Sequence, residues 1–189
     1  MRPLLLFCGL LCFFTTTQAQ DTAIVRNDYA LAVQEAQAGK KVVLAILDSK
    51  DLELPATMDA ALVDNLIGLL CDNCHLTRFP KGLETCPNLS AVEINWYLFS
   101  DSPNNHLLLE QIFQVPHLEK LTIHAFPLPN APFKSRSLQH LQWTKGALNA
   151  VPSWVYEQTQ LKSLRLGCNN IEVIGDCLLY TSPSPRDRG

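Results

Sequence analysis

The residues most able to do chemistry lie together at Cys71-Asp72-Asn73-Cys74-His75. Two cysteines separated by two residues and followed at once by histidine have the spacing that attaches haem through two thioethers, with the histidine as axial ligand. A c-type haem or redox protein is therefore one function to weigh. A cytochrome also needs a second axial ligand, commonly Met or His. Met58 precedes the motif, and His106, His117, His124 and His140 are scattered after it. Zinc is a second reading, with Cys71, Cys74 and Cys86 joined by His75 in a Cys3His set. A ligand immediately after Cys74 has awkward geometry for that set, and a Cys71–Cys74 disulfide would have to bridge a strand end. No Gly-rich phosphate loop, G-x-S-x-G elbow, H-E-x-x-H pair or paired carboxylates stand elsewhere in the chain. No catalytic residue, metal or cofactor is expected.

The two ends frame what can fold. Arg2 precedes an uncharged apolar run from Leu4 to Phe14 and then Thr17-Gln18-Ala19. This is the layout of a secretory signal over residues 1–19, and the run is too short to cross a bilayer. The mature chain is expected to be exported, to a secreted, periplasmic or extracellular location, with no membrane span. At the other end, Cys177 to Gly189 turns abruptly to Ser, Pro and Arg and resembles translated adapter sequence. It reads as a non-native or disordered tail, and in the first case the intact gene runs on past about residue 176. Without these ends, 12 Lys and Arg face 17 Asp and Glu, a net charge near −5. That argues against a nucleic-acid partner, which calls for a basic face. About 155 residues remain, enough for one domain with a sizeable core.

Internal repetition decides what those residues form. Leu161-x-x-Leu164-x-Leu166-x-x-Asn169-x-Ile171 recurs as Leu138-x-x-Leu141-x-Trp143 with Gly146 in the asparagine slot. It recurs again as Leu118-x-x-Leu121-x-Ile123-x-x-Phe126, as Leu89-x-x-Val92-x-Ile94-x-x-Tyr97, and as Leu66-x-x-Leu69-x-Cys71-x-x-Cys74. The starts at 66, 89, 118, 138 and 161 are 23, 29, 20 and 23 residues apart. In this pattern the chain resembles the leucine-rich repeat proteins whose unit is about 23 residues and closes on a proline, as at Phe79-Pro80 and Val151-Pro152. Tyr97, Phe126 and Gly146 depart from the asparagine.

The resemblance implies an α/β leucine-rich repeat solenoid, with short parallel strands on a concave side and helices or extended segments on the convex side. The long unit takes up its extra length in a loop at residues 100–105 before a helix from Leu107 to Val115. The short unit, with Pro127, Pro129 and Pro132, is expected to cross in extended form. Residues 20–65 read as an amino-terminal helical cap and degenerate first repeat. Asn27 is the expected N-cap of a helix from Asp28 to Ala38, Gly39 follows its end, and a strand runs from Val42 to Ile46.

In repeat register Cys71 points into the core, Cys74 fills an asparagine slot and His75 is a turn residue, so the repeat accounts for the motif without haem. Strand alternation turns the fifth, seventh and eighth positions to solvent. The partner-binding candidates are therefore Glu93, Asn95, Trp96, Thr122, His124, Gln142, Thr144, Lys145 and Arg165, with Trp96 the best single hot spot. The expected function is a non-catalytic platform for a protein, with a glycan as a further possible ligand. The alternatives are the haem protein through Cys71, Cys74 and His75, or the binding part of a longer enzyme.

Overall fold

The computed structural model describes residues 21–49, 54–73, 80–95, 103–126 and 132–172. They form an α/β structure with one parallel sheet of seven strands, ordered β1 to β7 as they occur in the chain. The strands are β1 (Thr22–Arg26), β2 (Lys41–Leu47), β3 (Leu66–Asp72), β4 (Ala91–Asn95), β5 (Lys120–His124), β6 (His140–Thr144) and β7 (Ser163–Arg165). Between them lie helices α1 (Tyr29–Gln37), α2 (Ala60–Asn65) and α3 (Pro103–Gln114), and short 3-10 turns at Leu83–Thr85 and Ser153–Glu157.

Period-two alternation builds the core. Leu69 and Cys71, Val92 and Ile94, Leu121 and Ile123, and Leu141 and Trp143 share one continuous apolar cluster with the residues that open their units, Leu66, Leu89, Leu118 and Leu138. Register carries these side chains straight across the sheet: Cys71 lies beside Ile94, Ile94 beside Ile123 and Ile123 beside Trp143.

Six of the seven strands are followed by the same backbone turn. Asn27, Asp48, Asn73, Ala125, Lys145 and Cys168 all have φ between 47° and 58°. A left-handed turn at a residue with a Cβ costs roughly 1 kcal/mol. Here it aims the residue's N–H at the next strand's carbonyl. Asn27 donates to Ala45, Asp48 to Asp72, Asn73 to Asn95 and Ala125 to Thr144, all at 2.8–2.9 Å, and Lys145 donates to Gly167 at 3.3 Å. A second ladder runs where strands begin, with Glu119 and Lys120 donating to Ser90, Gln139 and His140 to Glu119, and Lys162 and Ser163 to Gln139. Backbone groups that a lone unit would leave unmet are thus paired by its neighbour.

The amino-terminal stretch differs from its expected form. A strand, β1, precedes the helix and pairs with β2 over five residues, so α1 is a crossover between two strands. Asn27 is not the N-cap. Asp28 is, its carboxylate accepting from the Leu31 N–H at 2.9 Å. Asn27 instead reaches the neighbouring strand, donating from Nδ2 to the Leu47 carbonyl and accepting the Leu47 N–H. Gly39, at φ 81°, does follow the helix end. Thr22 to Arg26 was illegible as a strand because its short alternation lacks the leucine frame.

Helix α3 also begins earlier than expected, at Pro103, where proline's missing N–H is harmless in a first turn. Pro132 to Gln139 contains no helix, in keeping with an extended crossing; Pro127 and Pro129 lie outside the described residues.

Candidate functional site

Cys71 sits in β3 with no exposed surface, inside the main core, and is not in a disulfide. Cys86 is equally buried, its thiol donates to the Gly82 carbonyl at 3.6 Å, and burial pushes its pKa up to about 12. Metal ligation and thioether chemistry both require the thiolate or access to it, and Cys86 offers neither. Cys74 and His75 lie outside the described residues. Among the described residues, no group of three or more His, Cys, Asp or Glu side chains is arranged to hold a metal ion.

Asn169 ties neighbouring stretches of the chain together. Asn169 donates from Nδ2 to the Trp143 and Leu166 carbonyls at 2.8 and 3.0 Å. Its Oδ1 accepts the Gly146 and Leu148 N–H groups at 2.8 and 3.3 Å. All four groups around it belong to its own or the preceding unit. One unit back, where Gly146 fills the slot, the Trp143 indole N–H donates to the Phe126 carbonyl at 3.0 Å. The indole therefore ties Trp143 to the preceding turn through a carbonyl, a different group from those that Asn169 engages.

The sheet face turned away from the main core carries the candidate binding residues in rows set by register. Arg26, Ala45, Leu70, Glu93, Thr122, Gln142 and Arg165 form one row. Asp72, Asn95, His124 and Thr144 form the next. These residues share one face of the sheet, and that face has two unlike halves.

On β2 to β4, and at Thr122 of β5, the face is not solvated, which corrects the expectation for three residues. Glu93 is 4% exposed, Asn95 3% and Thr122 9%. The physical reason is a second apolar cluster on that side, Val43 and Ala91 with Ile67 packed on them, beside buried Ala45 and Leu70. Glu93 and Asn95 satisfy each other there, Asn95 Nδ2 donating to Glu93 Oε1 at 3.2 Å. Burial raises the Glu93 pKa, against the pull of Asn95 and Lys120, and Asp72 adds to the rise. Asp72 is likewise raised by burial and by the Asp48 charge. Trp96 lies outside the described residues.

Past Thr122, from His124 of β5 across β6 and β7, the face is open. His124, Gln142 and Thr144 are half-buried, and Lys145 and Arg165 are exposed. His124 Nδ1 and Thr144 Oγ1 are hydrogen-bonded at 2.7 Å. Burial and the Lys145 ammonium lower the His124 pKa, so the imidazole is neutral at pH 7. Arg165 lies directly across from Gln142.

The raised Glu93 pKa makes a prediction with a definite sign. The folded protein holds this proton more readily than the unfolded chain, so stability falls as pH rises through the window above the ordinary glutamate range. Glu93→Gln keeps an acceptor for Asn95 and removes the charge. Its Tm is expected to exceed wild type at pH 7, with the gain shrinking as the pH approaches about 4, where the wild-type carboxyl is protonated. Equal Tm differences at both pH values, read by thermal unfolding, would rule this out.

The described residues thus define an α/β protein with one parallel sheet in chain order and a polar half-face open to solvent. Compared with family models, curated proteins and solved structures, the chain matches none at a significant level. No helix among the described residues is long and apolar enough to cross a membrane.

Proposed function

We propose that the chain is an exported leucine-rich repeat solenoid whose concave sheet face binds another protein without chemistry of its own. The observation that carries this reading is the bonding of Asn169, whose four hydrogen bonds join the last two units at the slot where the repeat pattern places asparagine. The left-handed turn repeated after six strands supports it, since five of these turns close against the stretch that follows. On this reading β1 and β2 are two further units, and the solenoid begins before Leu66.

Repeat platforms bind through side chains that a rigid backbone holds in rows. The rows here are polar, and the accessible ones lie on β5 to β7. A protein partner fits their mixture of amide, hydroxyl and charged groups.

The test uses the purified, exported chain as immobilised bait against extracellular proteins. Gln142→Arg with Thr144→Arg on the concave face is expected to reduce recovery of a bound protein by roughly tenfold, as a central interface substitution does. Leu107→Ser, exposed on α3, should leave recovery within about twofold. If the α3 change abolishes binding and the concave pair does not, the partner surface is elsewhere and this reading fails.

A further inference from the structure

We infer that the open half of the concave face, on β6 and β7, takes a carboxylate-bearing, extended acidic segment of a partner protein, held between Lys145 and Arg165 above the bare backbone of Gly167. The inference rests on the platform reading and names the chemistry of its ligand.

Three observations converge on this place. Arg165 and Lys145 are exposed cations, and neither is in an ion pair among the described residues. Arg165 is on the face opposite the core because Leu164, its neighbour, packs against the core. Lys145 follows directly on Thr144, which lies across from His124 on that face.

Between them, the Lys145 N–H meets the Gly167 carbonyl at 3.3 Å. A Cβ built at Gly167 would meet nothing within 4 Å, and its φ lies outside the left-handed region. The two cations therefore flank a bare stretch of backbone with open space above it.

The neighbouring groups are suited to a peptide. Gln142, across from Arg165, offers an amide that can donate and accept, and Thr144 adds a hydroxyl, the pair of groups a peptide backbone requires. Arg pairs with carboxylates through two parallel N–H bonds, and Lys adds a point charge. No carboxylate occupies a described position of this face on β5, β6 or β7. Glu93, in the same row on β4, is buried and gives up its proton reluctantly.

A dense polyanion fits less well. The whole chain has a net charge of −3 and repels one at long range. Only two exposed, permanently charged side chains flank the glycine, enough for one or two carboxylates. The described positions of this half-face also include no Trp, Tyr or Phe ring on which a sugar could stack.

The experiment is fluorescence polarisation of the purified full chain with three labelled probes: a peptide of alternating glutamate and serine, its glutamine counterpart, and a sulfated oligosaccharide. The glutamate peptide is expected to bind roughly tenfold more tightly than the glutamine one, and to weaken as salt is raised. Lys145→Glu with Arg165→Glu should abolish that preference. Gly167→Trp, which fills the open space without a backbone penalty, should abolish binding while leaving Tm unchanged.

Equal binding of the glutamate and glutamine peptides, or a Gly167→Trp chain that still binds, overturns the inference. So does binding of the oligosaccharide alone. The platform reading has its own outcome: a captured protein that Gly167→Trp releases but the charge reversal does not would keep the face and discard the acidic ligand. Loss of neither would discard both.

Discussion

Phe113→Ala is expected to cost about 4 kcal/mol, a large fraction of what holds a domain of this size folded. Phe113 has no exposed surface and projects from α3 into the middle of an aromatic cluster. Its ring meets Phe133 edge-on at 5.1 Å, Trp154 at 5.5 Å and Trp143 at 6.0 Å, with interplanar angles of 76–90°. Each edge-to-face pair contributes about 0.5–1.5 kcal/mol beyond the area it buries. The remaining rings cannot close over the gap easily, because Phe133 is already stacked on Trp154 at 4.9 Å. The effect is read as a lower midpoint in urea unfolding with an unchanged slope. Phe113→Leu, which keeps most of the volume, should lose about 1–2 kcal/mol. A Phe113→Ala midpoint within error of wild type would mean that the cluster is not what fastens α3 to the sheet. The consequence for function is direct. Trp143 is the inward neighbour of Gln142 and Thr144, so a slackened cluster loosens the strand that presents the open half-face.

Strand positions were legible in the sequence wherever the leucine frame ran. The frame starting at Leu66, Leu89, Leu118, Leu138 and Leu161 predicts β3 to β7, and the same alternation finds the inward residues of each. β1 was not legible, because Thr22-Ala23-Ile24-Val25-Arg26 carries the alternation without a leucine to announce a unit. Its kinship shows only in the backbone, where Asn27 and Asp48 adopt the same left-handed turn as Asn73, Ala125 and Lys145. Nothing in Ala125 or Lys145 as residue types signals such a turn, and the hydrogen bond to the next strand is what imposes it.

The candidate site was half legible, for a reason local to one face. Period-two alternation says which way a side chain points and says nothing of whether solvent waits there. Glu93 and Thr122 occupy equivalent positions to Gln142 and Arg165. The first two are buried because the positions beside them on β2 to β4 are Val43, Ala45, Leu70 and Ala91. Reading one column of the repeat at a time hides this. Reading the columns side by side exposes it, since apolar residues fill the outward positions of β2 and β3 and thin out after β4. The same comparison would have singled out β5 to β7 as the accessible half.

Gly146→Ala carries the other large effect, expected at about 3 kcal/mol, although it adds a single methyl group. A Cβ at this position would lie 2.7 Å from the Phe126 carbonyl and closer still to the Trp143 indole nitrogen. Both partners are fixed: one is backbone, and the other is a fully buried ring whose N–H is bonded to that same carbonyl. The methyl group must therefore break the indole bond, push the strand, or displace the Gly146 N–H from Asn169 Oδ1. Conformational freedom is not the issue, because the φ of Gly146 is not in the left-handed region. Gly167→Ala supplies the matched control: the same change one unit later meets open space and should be neutral or stabilising by up to about 1 kcal/mol. Trp143→Phe removes the indole nitrogen that the new methyl would strike. Combined with Gly146→Ala, it should cost less than the two single changes summed, a coupling measurable by a double-mutant cycle in urea. Strict additivity, or a Gly146→Ala protein as stable as its Gly167→Ala counterpart, would show that the indole does not occupy the asparagine slot.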